Sequence, residues 1–206
     1  MEYTTSFTAG GLLYNEIDAL GTILRQPDWN SQLERDVKEN RLLKVNSEAS
    51  RKRVVQEVRL RMDYMDADFW AVYDEVSELD KKGLLFFVCL QTYKLIYDFH
   101  FNVTIPKFLS LESEIEPYWY EMRLQELSSS HPEVDSWTDQ TKRKVVTRYI
   151  DILRKVGLVE RDKLTKKAFS AAIFCYFLSK GNLWTLDAFF LKQAEKETII
   201  NFCNDN

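Results

Sequence analysis

Between Lys142 and Lys167 the chain carries ten basic residues against three acids, and between Lys38 and Arg61 eight against three. Lysine and arginine at this density suit one kind of chemistry, the neutralisation of phosphate oxygens, which arginine can meet through two parallel N–H groups. A solvated face, or neutralisation by acids elsewhere in the fold, accounts for the same blocks without a ligand. Both readings stay open, because Asp63 to Asp80 holds seven acids and no base, and Glu112 to Asp135 holds seven acids against Arg123. A net charge of −4 over 206 residues excludes a chain that is basic all over. Any affinity for nucleic acid must therefore come from local segregation of charge.

The second block needs a helix to position it, and the stretch SWTDQTKRKVVTRYIDILRKVGLVE supplies one. Ser136, three residues ahead of Asp139, reads as a cap and Gly157 as a left-handed stop, so the helix is expected from about Trp137 to Val156. At 100° per residue, Val145, Val146, Tyr149, Ile150, Ile152, Leu153 and Val156 share one arc of roughly 160° that faces a core. The opposite arc carries Arg143, Lys144, Thr147, Arg148, Arg154 and Lys155, with Asp151 as its acid. The helix dipole favours Arg154 and Lys155 in the last turn whatever the function. A basic helix followed by Gly-Leu-Val and a basic turn containing Lys163 is how the reading helix and next strand of a winged helix-turn-helix look.

The first block sits on a helix opened by Ser47 or Ser50, with Val54, Val55, Val58 and Met62 inward and Arg51, Lys52, Arg53, Arg59 and Arg61 on its other surfaces. Arg51, Lys52 and Arg53 lie in the first turn, where the dipole disfavours cations by a few tenths of a kcal/mol. A bound anion would account for that placement, and so would pairing with Glu48 and Glu57. The candidates for phosphate contact are thus Arg51, Lys52, Arg53 and Arg59 from one helix, Arg143, Lys144, Thr147, Arg148 and Lys155 from the other, and Lys163 beyond it.

Six Gly and four Pro leave little material for the turns of a large sheet, and 45% hydrophobic residues suffice for a substantial core. An all-α, multi-helix bundle follows. Helices are expected from Ala9 to Leu24 with Thr8 as cap, from Trp29 to about Asn40, around Phe69 to Val76, and from Leu111 to Leu127. One apolar helix after Gly83, ended by Ile105-Pro106, should place Leu84 to Tyr97 among the most buried stretches. Gln91, Thr92, Lys94 and Asp98 interrupt it well short of the ~18 to 20 apolar residues of a membrane span. The stretch Ser128 to Pro132 reads as a linker between an N-terminal lobe, residues 1–127, and a C-terminal lobe, residues 136–206, which are able to pack as one domain. The second lobe should add helices from about Lys167 to Leu178 and from Thr185 to Phe202.

Catalytic patterns are missing. His100 lies between phenylalanines and His131 in the linker, Asp63, Asp66 and Asp68 lack the Gly and Glu of a calcium loop, and there is no Gly-rich phosphate loop. No catalysis, metal or cofactor is expected. Cys89, Cys175 and Cys203, odd in number and far apart, suggest neither a disulfide framework nor a metal site, and fit a reducing cytoplasm. The N-terminal stretch has no secretory pattern.

The segments TSFTAGGLLYNE, Asp28-Trp29, NRLLKVNSEASRKRVVQEVRLRM and TKRKVVTRYIDILRKVGL, in that order, resemble the BrxA family, a small helical component of bacteriophage-exclusion (BREX) defence systems. The resemblance implies an all-helical protein with a core similar to the antitermination factor NusB, binding to double-stranded DNA, and no catalytic role. The matching positions are Ser50, Arg53, Glu57 and Arg59 in the first helix, and Thr141, Lys144, Arg148, Leu153, Gly157 and Leu158 around the second. The expected function is non-enzymatic duplex binding with little sequence preference, since phosphate contacts position a protein without reading bases. The acidic balance stands against tight binding. The alternative is an adaptor whose acidic faces, Asp63 to Asp80 and Glu112 to Asp135, dock on a basic partner such as a methyltransferase or ATPase of the same system.

Overall fold

The computed structural model describes residues 2–110 and 114–205. In chain order the helices are α1 (Tyr14–Leu24), α2 (Trp29–Glu39), α3 (Glu48–Arg61), α4 (Ala67–Glu75), α5 (Glu78–Thr92), α6 (Lys94–Phe99), α7 (Ile105–Leu109), α8 (Pro117–Ser128), α9 (Pro132–Asp135), α10 (Asp139–Val156), α11 (Ala171–Ser179), α12 (Thr185–Ala188) and α13 (Gln193–Asp205). Two-residue strands β1 (Val159–Glu160) and β2 (Lys163–Leu164) pair antiparallel after α10. The chain is all-α apart from that hairpin.

Helix α5 lies at the centre because it is apolar around most of its circumference: Gly83 to Leu90 is an unbroken buried run, and Phe86 and Phe87 are 0% and 3% exposed. It packs against α1, α3, α4, α10 and α11, and one hydrophobic cluster runs from Tyr3 to Phe190. The expected buried stretch extends less far than Tyr97, which is exposed. Tyr93 takes an extended conformation (φ −118°, ψ 106°) that ends α5. The chain then continues through α6, a π-helical turn (His100–Thr104) and α7. Pro106 does not stop this run: it is the second residue of α7 and directly follows the π-helical turn, where the Ile105 N–H reaches back to the His100 carbonyl.

Several boundaries differ from the sequence expectation for local reasons. Thr8 belongs to a 3₁₀ turn (Ser6–Ala9), and α1 starts only at Tyr14, after Leu13 at φ 58°. Thr138 rather than Ser136 caps α10: its hydroxyl accepts the Thr141 amide at 3.2 Å, while Ser136 Oγ donates to the Glu133 carbonyl at 2.7 Å. The helix expected from Leu111 begins at Pro117; residues 111–113 lie outside the described residues. The last expected helix is divided into α12 and α13 around Phe190, at φ 60°. The expectation of unpaired cysteines is corrected for two of them: Cys175 and Cys203 form a disulfide with Cα atoms 5.1 Å apart, and Cys89 is free and buried. Spacing alone did not suggest this pair, because 28 residues separate the two in the chain and the fold alone brings α13 beside α11.

Candidate nucleic-acid interface

The seat of α10 explains its orientation. Val145, Val146, Tyr149, Ile150, Ile152, Leu153 and Val156 are all buried, as the sequence arc requires. Gly157, at φ 87°, closes the helix, and its N–H reaches the Arg154 carbonyl. Beneath the stripe a polar chain holds the helix in rotation. Tyr120 of α8 and Tyr149 of α10 both bond the Thr104 hydroxyl, at 2.9 and 2.7 Å. Tyr149 also meets His100 Nδ1 at 2.9 Å, and His100 Nε2 meets the Ala188 carbonyl at 2.8 Å. That carbonyl fixes Nε2 as the protonated nitrogen, so Nδ1 accepts from the tyrosine. Burial holds the imidazole neutral, with its pKa lowered to about 4 against the pull of the Ala188 hydrogen bond.

With the apolar side committed, the outer face has a definite charge pattern. Arg143 and Lys144 are exposed and have no ion-pair partner among the described residues. Thr147 is exposed, its hydroxyl bonding back to the Arg143 carbonyl at 2.9 Å. Arg148 and Lys155 share the Asp151 carboxylate, each 3.4 Å away. Arg154 pairs with Asp162 at 2.7 Å, and Lys163 with Glu114 at 3.8 Å. The N-terminal half of the face is therefore uncompensated and the C-terminal half largely balanced. Sequence reasoning left out Arg161, which is exposed at the hairpin tip beside Asp162. Both take positive φ, 49° and 59°, as a two-residue hairpin turn requires. The turn lacks the Asn-Gly or Asp-Gly signal that would have marked Arg161 as a tip residue.

The first basic helix differs more from expectation. Arg51 is 8% exposed and turned inward, donating to the carbonyls of Val37 at 2.6 Å, Val45 at 2.7 Å and Asn46 at 3.2 Å. Its guanidinium is used to close the α2–α3 connection and is not presented to a phosphate. Arg61, expected on the surface, is fully buried and donates to the carbonyls of Leu12 (2.8 Å) and Gly11 (2.5 Å) and to the Tyr93 hydroxyl (3.0 Å), which in turn donates to Glu57 at 2.5 Å. Arg59 ties α3 to α2 through Asn30, at 2.7 Å, and Glu34. Lys52 pairs with Glu48 at 2.7 Å, as the pairing account anticipated. Arg53 is exposed with no partner among the described residues.

The two basic helices meet at one loop. Gly11, at φ 66°, is bonded from beneath by Arg61, and a Cβ there would lie 3.0 Å from Arg148 Cδ. A side chain at Gly11 would be strained at that φ and would crowd the Arg148 side chain, which would have to shift slightly. The cavity next to Arg143, about 460 Å³ between α8, α9 and α10, is lined by Glu121, Asp135 and Asp139 as well as Lys142, a poor place for a phosphate. The acidic faces are partly spent inside the fold: Lys180 binds both Asp66 and Asp68 at 2.7 Å, and Arg25 binds Asp74 at 2.5 Å. Among the described residues no helix is long and apolar enough to cross a membrane.

The chain is similar in fold to a crystal structure of an uncharacterized protein from Magnetospirillum magneticum, with a TM-score of 0.77, 18% identity, and coverage of 92% of this chain and 98% of that one. A comparison with curated proteins finds no match. The model of the BrxA family matches residues 1–181, which include α3, the Gly11 loop, α10 and the hairpin. The chain belongs to the BrxA family, and with it to the bacteriophage-exclusion defence systems.

Proposed function

We propose that the protein is a non-enzymatic, cytoplasmic component of BREX defence that binds duplex DNA through the outer face of α10 and the tip of the β1–β2 hairpin. One observation carries the reading: Arg143 and Lys144, on a helix whose other side is wholly committed to the core, are cations without partners among the described residues. On this reading α10 is the reading helix and the β1–β2 hairpin the wing of a winged-helix-like element, the hairpin following α10 directly in the chain. A NusB-like core remains what the family resemblance implies. Phosphate contacts come from Arg143, Lys144, Arg148, Lys155 and Arg161, with Arg53 in support. Such contacts fix position and orientation without reading sequence.

About five neutralised phosphates give a log–log salt slope of roughly −4 to −5, with non-specific affinity on the order of micromolar at physiological salt. The test is a gel-shift series over salt with the wild type and the combined Lys144→Glu, Arg148→Glu, Lys155→Glu variant, whose core stripe is untouched. Binding should fall steeply on every duplex sequence, while Lys38→Glu, Arg41→Glu, Lys44→Glu together should do much less. An unchanged dissociation constant in the α10 variant would mean a merely solvated face. The adaptor reading would then replace this one.

A further inference from the structure

The C-terminal helix α13 lies beyond the family-matched residues and has an unusual attachment. None of its residues is fully buried. It packs on α11 mainly through the half-buried Ile199 and Ile200, over a groove lined by Phe169, Phe174 and Leu191. Its polar ties are surface ion pairs, Glu195 with Lys166 and Lys196 with Asp187 at 2.5 Å, a class of contact that holds little in water. A 13-residue helix with so little burial is marginal on its own. The covalent tie is the Cys175–Cys203 disulfide, with both residues half-buried and so within reach of a small reductant.

The helix also brings charge. It carries Glu195, Glu197 and Asp205 against Lys196, and Glu195 occupies Lys166, two residues past β2. Next to it, Lys167 reaches back to Glu160 of β1 at 2.5 Å, so the segment 166–167 is continuous with the hairpin. An acidic strap thus lies against the basic surface at the point where that surface leaves α10.

We propose that the Cys175–Cys203 disulfide is a reversible latch for this strap: oxidised, it holds α13 across Lys166; reduced, α13 lifts and Lys166 joins the basic surface of the hairpin. The step takes two electrons and two protons from a dithiol, which becomes a disulfide, while the Cys175–Cys203 bond breaks to give two thiols. The effect on binding rests on the duplex reading above. The release of α13 does not.

Amide hydrogen exchange on the full chain, oxidised and then treated with dithiothreitol, reads the latch directly. Reduction should cost residues 193–205 protection on the order of ten-fold or more and leave α5 and α10 unchanged. Cys203→Ser should match the reduced protein under both conditions. Equal protection of α13 after reduction, or alkylation of three thiols before it, would overturn the latch. On duplex DNA the reduced protein and Cys203→Ser should bind more tightly, with a salt slope steeper by about 0.9 for the added cation. Equal slopes with α13 deprotected would overturn the strap's action on the basic surface. Absence of binding in both states would instead remove the duplex reading, with the exchange data still deciding the latch.

Discussion

Asp151→Asn tests the interface by adding charge rather than removing it. Asp151 lies near the middle of the α10 outer arc, and its carboxylate is 3.4 Å from both Arg148 and Lys155. These are half-exposed i,i+3 and i,i+4 pairs, worth about 0.3 to 0.5 kcal/mol each, so the substitution should lower stability by no more than about 1 kcal/mol. A phosphate reaching Arg148 or Lys155 would sit some 6 Å from the carboxylate, where Coulomb's law at the dielectric of water gives about 0.7 kcal/mol of repulsion. Two such phosphates make this about 1.4 kcal/mol before screening, or close to ten-fold in affinity, and salt reduces it to a few-fold. Arg148 and Lys155 are already among the five phosphate contacts, so the log–log salt slope should stay at roughly −4 to −5. Fluorescence anisotropy with a labelled duplex at several salt concentrations reads both quantities. An affinity equal to or weaker than wild type, with a native melting temperature, would refute the placement of phosphate along this face.

Two further outcomes concern residues the fold has taken inward. His100 is buried and neutral, its pKa lowered from 6.5 to about 4. The unfolded chain therefore binds this proton first, and stability is lost as pH falls from about 6.5 to about 4, by about 3 kcal/mol in all. Calorimetry over that range should show the loss, and His100→Gln should flatten the curve there; an unchanged pH profile in the variant would contradict the assignment. Arg51→Ala removes three charge-assisted bonds to backbone carbonyls and should destabilise by about 2 to 4 kcal/mol in urea unfolding. Arg53→Ala should stay within about 0.5 kcal/mol of wild type. Equal effects of the two would show that the guanidinium of Arg51 is not held as described.

The sequence revealed α10 well because three independent signals, periodicity, charge and a terminal glycine, bear on the same residues. All seven predicted core positions are buried. It failed at Thr138 because Ser136 and Thr138 both fit the cap, and the choice turned on α9, a four-residue helix that claims the Ser136 hydroxyl. In α3 the periodicity held for Val54, Val55 and Val58, yet Arg51 and Arg61 went inside with them. Neither burial follows from a helical wheel that sorts residues by polarity. Arg61 satisfies carbonyls of the distant Gly11–Leu12 loop, and Arg51 those of the end of α2 and the loop before α3, and such backbone acceptors have no sequence signature. The disulfide was hidden for the same reason, since its formation depends on how α13 returns to α11.

The distribution of partners along α10 carries more weight than its total charge. Cations in the last turn are favoured by the helix dipole, and there Arg154 and Lys155 also have acids beside them. The fold alone accounts for those two residues. Arg143 and Lys144 stand in the second turn, nearer the positive end of the dipole, without a partner among the described residues. They contribute nothing to burial and gain nothing from the helix. Glu121, Asp135 and Asp139 line the cavity beside Arg143, and none of them forms an ion pair with it among the described residues. Water solvates these cations in the free protein, and on the proposed reading a polyanion that follows the helix past Arg148 and Lys155 to Arg161 would meet the whole row.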